Sequence, residues 1–106
     1  MQTVIQVVTN GRGSLRNKIM SDPQLKKFEL VPTEHFRAGR PHGWAKIHST
    51  EAHGVINLEW HSRTGVLICR VVTKLGNKPN SIIGDFIDYL LARQQSRILS
   101  IHIMRR

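Results

Sequence analysis

The chain is poor in several things, and each scarcity excludes something. It has one cysteine, Cys69, so no internal disulfide can form, which fits a reducing compartment. Its neighbours Leu67, Ile68 and Val71 mark it as a small buried hydrophobe rather than a nucleophile. No apolar run approaches the roughly 20 residues that span a bilayer, so no membrane partner is expected. The opening MQTVIQVVTN lacks a charged leader and a long apolar core, and the reading is a cytoplasmic protein. Aromatic residues are few, at two Trp, one Tyr and three Phe, which leaves little for a stacking platform.

Acidic residues are the most telling shortage. Seven Asp and Glu stand against sixteen Lys and Arg, a net charge of +9 over 106 residues. A basic chain of this size points to a polyanionic partner, most often nucleic acid. The basic residues are spread along the chain and form no Lys/Arg block of the kind that marks a disordered arm.

What is present reads as a single α+β domain over residues 1–106. TVIQVVT (3–9) is β-branched and apolar, a strand. NGRG (10–13) is a turn, and one or two short helices follow, capped by Ser14 and by Asp22 ahead of Pro23. FELVP (28–32) is a brief apolar run stopped by Pro32. TEHFRAGRPHG (33–43) has the composition of a mobile basic loop. Three strand-like runs at 44–49, 54–62 and 66–74, closely connected, predict an antiparallel meander. From Ser81, the pairs Ile82/Ile83, Phe86/Ile87 and Leu90/Leu91 recur every four residues and predict a long amphipathic helix packed on one sheet face. ILSIHIMRR (98–106) alternates and reads as a last strand.

The hairpin GVINLEWHSRTGVLICRVVTK (54–74) permits a sharper argument. An even-numbered loop around Arg63–Gly65 puts Ile56, Leu58 and Trp60 on one face with Leu67, Cys69 and Val71. That set is wholly apolar and must be the core side. The opposite face then gathers Asn57, Glu59, His61 and Arg70, with Glu59 opposite or diagonal to Arg70. If 44–49 pairs with 54–59, Trp44, Lys46 and His48 join it. Val55, Val66, Ile68 and Val72 lie there too.

Four uses of that face compete with an ordinary solvated one. Foremost is non-enzymatic binding of RNA or DNA by Arg37, Arg40, Trp44, Lys46, Arg63, Arg70 and Lys78, with Arg12 also within a loop. The alternative is a homo-oligomeric interaction module, such as a homodimer, closed by the aliphatic side chains or by the last strand at a sheet edge. Third is metal-independent ribonuclease chemistry, with Glu59, His48 or His61, and Arg70 supplying base, acid and cation. Metal binding is weakest: His42, His48, His53 and His61 show no recurrent ligand spacing, and no cofactor is expected.

Overall fold

The computed structural model describes residues 2–33, 44–50, 54–73 and 79–105. The expected loop over 33–43 falls, except for Thr33, outside them. The chain is α+β, with a six-stranded antiparallel sheet in the order β2-β3-β4-β5-β1-β6. Strand β1 is Gln2–Thr9, β2 Leu30–Pro32, β3 Trp44–Ser49, β4 Gly54–His61, β5 Val66–Thr73 and β6 Ile98–Arg105. Helix α1 is Leu15–Met20 and α2 is Pro79–Arg93, with short 3-10 helices at Pro23–Phe28 and Gln95–Arg97. No described helix is long and apolar enough to cross a membrane.

The helical starts follow local capping chemistry. Ser14 Oγ accepts from the Asn17 amide at 3.2 Å, and Asp22 Oδ1 accepts from the Gln24 amide at 2.9 Å, with Pro23 in the first turn. The meander has one strand more than the three expected. FELVP contributes β2, a three-residue strand at the sheet edge, where Pro32 removes no ladder donor that the fold needs.

Helices α1 and α2 and the 3-10 helix Pro23–Phe28 pack on one face of the sheet. Leu15, Ile19, Leu25, Ile82, Phe86, Tyr89 and Leu90 bury against Ile5, Val7, Ile47, Ile56, Leu58, Leu67, Cys69 and Val71. Ile47, Ile56, Leu58, Leu67, Cys69 and Val71 follow the parity that the hairpin argument assigned to the core, Ile5 and Val7 join them from β1, and Trp60 packs on the margin. Burial pushes the Cys69 thiol far up from its ordinary pKa, so no thiolate is available for chemistry. The helix stripe differs in one detail. Tyr89 is buried and Leu91 is 48% exposed, because α2 turns its Ile82, Phe86, Tyr89, Leu90 line toward the sheet. Phe28 meets Tyr89 edge to face, ring centroids 5.5 Å apart.

At the start of β4, Gly54 allows the closest approach of helix and sheet. A methyl group there would collide with Ile82 Cδ1 and stand 3.1 Å from the Val72 carbonyl oxygen.

Candidate nucleic-acid interface

The sheet face opposite the helices carries no described helix. Its register is set by four-residue connections. His61 pairs with Val66 across Ser62–Gly65, where the Gly65 amide donates to the His61 carbonyl at 2.9 Å and Gly65 takes φ 67°. Across the other connection, His48 pairs with Val55 and Trp44 with Glu59.

These registers arrange the face in rows that run perpendicular to the strands. One row is Met104, Val4, Arg70, Asn57 and Lys46, taken from β6 to β3. The next is His102, Gln6, Ile68, Glu59 and Trp44. Two flanking rows hold Ser100, Val8, Val66 and His61 on one side, and Val72, Val55, His48 and Val31 on the other. The face therefore has two halves. Strands β3 and β4, with Arg70 from β5, carry the charge and the amide. Strands β5, β1 and β6 carry Val66, Ile68, Val72, Val4, Val8 and Met104.

Glu59 is the centre of the polar half. Its Oε2 lies 3.7 Å from an Arg70 terminal nitrogen and its Oε1 lies 3.6 Å from His61 Nε2. The register is the diagonal one, since Asn57 is directly opposite Arg70. The three side chains are 25 to 46% exposed, so each contact is worth at most about 1 kcal/mol. Of the residues proposed for acid–base chemistry, Glu59, His61 and Arg70 come together and His48 does not. His48 lies beyond Asn57 on the far side of the row, with Nδ1 3.3 Å from Thr33 Oγ1. Cleavage by in-line displacement needs base and acid on opposite sides of phosphorus. Glu59 and His61 instead project from one strand and touch each other, the arrangement of an ion-pair cluster.

Lys46, Asn57 and Arg70 share one row on three adjacent strands, all partly exposed. Trp44 holds the register position beside Glu59 in the next row. Arg63 is exposed but sits in the Ser62–Gly65 turn at the end of the sheet, beyond His61, rather than on the face. Arg37, Arg40 and Lys78 lie outside the described residues.

The end where Arg63 lies is built from three segments. Thr9 donates from its amide and its hydroxyl to the Gly65 carbonyl, at 2.9 and 2.6 Å. The Asn10 amide donates to the Arg97 carbonyl at 3.0 Å, and the Arg97 guanidinium donates to the Arg12 carbonyl. Arg12, Arg63 and Arg97 are thereby collected at one end of the sheet, on segments without an acidic residue. Arg97 was not among the sequence candidates for binding. The absence of Asp or Glu after Asp88 was the signal available for it.

Among the described residues no group of three or more His, Cys, Asp and Glu side chains could hold a metal ion. No family model, curated protein or solved structure matches the chain.

Proposed function

We propose that this protein binds nucleic acid without turning it over, through the polar half of the sheet face opposite the described helices and the basic end next to it. The observation that carries the reading is the row Lys46, Asn57, Arg70 on three adjacent strands, leading past His61 to the end that holds Arg63, Arg12 and Arg97. Two cations and an amide in a row suit a phosphate backbone, with Asn57 free to meet a sugar or base edge. The register position of Trp44 beside this row suits stacking on an unpaired base, and so favours single strands. The net charge of +9 adds long-range attraction.

Arg12 and Arg63 serve position rather than sequence, since they extend from turns. The contact between Glu59 and His61 on one strand supports binding over cleavage.

Filter binding or anisotropy with generic single-stranded RNA and DNA, across a salt series, tests the proposal. Affinity should fall steeply as salt rises. Lys46→Ala and Arg70→Ala should each weaken binding at least threefold. The paired change Arg12→Ala with Arg63→Ala should flatten the salt slope by about 1 to 2. No binding at low salt, or equal binding by all variants, rejects the proposal.

A further inference from the structure

The two edges of the sheet are not alike. The β2 edge is three residues long and ends in Pro32, both common protections against pairing with another chain. The β6 edge is eight residues long and contains no proline. From Ile98 to Met104 it has no Lys, Arg, Asp or Glu. Leu99, Ile103 and Met104 are 70, 53 and 44% exposed on it. Only its first end is irregular: the register shift between Val8 and Thr9 leaves Leu99 without a direct partner on β1, so regular pairing begins at Ser100.

An unpaired strand edge presents a row of N–H and C=O groups, so what it accepts is another extended strand. We propose that this strand is β6 of a second copy, paired antiparallel about a two-fold axis at His102. In that register Ile101 faces Ile103 of the second copy, Ser100 faces Met104, and both helix layers lie on the same side of one continuous sheet. The exposed Ile103 then packs on an isoleucine that already borders the core, and four isoleucines form one patch. Charge selects the direction. Antiparallel pairing sets the two Arg105 residues about 20 Å apart, each across from Leu99, at a rise near 3.4 Å per residue. Parallel pairing would align Arg105 with Arg105. The contact is isologous and closes as a dimer rather than growing into a fibre.

Sedimentation velocity or light scattering over a concentration series tests this. A reversible dimer is expected, strengthened by salt because two chains of +9 must approach. Nucleic-acid binding responds to salt in the opposite sense. Ile103→Lys, at an exposed position, should yield a monomer that keeps the wild-type circular dichroism spectrum. Val72→Lys, on β5 away from the edge, should leave the dimer intact. His102→Cys should give a disulfide-linked dimer under mild oxidation, since opposed strand positions lie within disulfide reach and Cys69 is buried. Leu91→Cys, exposed on α2, should not. A monomer at every concentration and salt overturns the proposal. So does a dimer that survives Ile103→Lys and is lost with Val72→Lys.

Discussion

The Tyr89 hydroxyl donates to Asp22 Oδ2 at 2.9 Å and ties the long helix to the 3-10 helix that starts 66 positions earlier at Pro23. Arg93 Nε reaches the same oxygen at 3.2 Å, and Gln94 Nε2 donates to the Tyr89 oxygen at 3.1 Å. One carboxylate thus joins two segments that the sheet alone does not connect.

That carboxylate should make stability depend on pH. Burial by itself would raise its pKa, but hydrogen bonds from the Gln24 amide, Arg93 and Tyr89 outweigh burial and hold it below the ordinary range. A depressed carboxylate contributes stability above its unfolded pKa and loses it as pH falls through the folded one. Asp22→Asn, which keeps an N-cap oxygen, should cost about 1–2 kcal/mol at pH 7. The difference from wild type should persist through the ordinary Asp titration range and shrink only as pH falls further, toward the depressed folded pKa, in urea titrations.

Tyr89→Phe should cost a similar amount, about 1–2 kcal/mol, with little pH dependence in the neutral range. It leaves the Gln94 side-chain amide short of its acceptor. Thermal denaturation of both single variants and the double variant should show a coupling above about 0.5 kcal/mol.

Asp85 should behave in the reverse sense. Burial first, then the charges of Glu29 and Asp88, raise its carboxyl pKa. A carboxylate with a raised pKa costs the fold stability as pH rises through it. Asp85→Asn should therefore stabilise by about 0.5 kcal/mol at pH 7, the gain shrinking toward pH 3.

Gly54→Ala should destabilise by about 1–3 kcal/mol. The added carbon meets the tip of the fully buried Ile82, and it stands 3.0 Å from the Thr73 methyl and 3.1 Å from the Val72 backbone oxygen, which cannot move aside as a side-chain tip can. Chemical denaturation is the check, and a neutral result would mean that α2 shifts freely over β5.

Glu59→Gln separates the uses of the polar half. For a binding surface, removing the anion beside Arg70 should raise affinity for RNA about threefold. Were the cluster a nuclease, the same change would abolish cleavage and leave affinity nearly unmoved.

Parity read the hairpin correctly because alternation in a strand has period two, and a one-residue slip would have buried Glu59 and Arg70. The same parity put Lys46 and Asn57 on the face with them. Two things escaped it. Three residues ending in proline, as in β2, give too short a pattern to read as a strand. The order β5-β1-β6 rests on pairings between distant segments, which no local pattern encodes. That order sets Val4, Gln6 and Val8 of β1 beside Arg70, Ile68 and Val66, and it brings Arg12 to the turn that holds Arg63. On α2, the sequence fits stripes ending at Tyr89 or Leu91 almost equally, and it is Tyr89 that is buried, against Phe28 and Asp22.

Strand β1 has a further consequence, for the timing of folding. It lies between β5 and β6, so neither of its neighbours exists until residues 66–73 and 98–105 have been made. During synthesis the meander of β2 to β5 can form from local contacts, while the apolar TVIQVV segment waits unpaired. The fold then closes by its longest loops, which is entropically slow and leaves a strand-forming segment open to misassociation in the interval. Slow docking of β1 is the refolding step that this strand order leads us to expect.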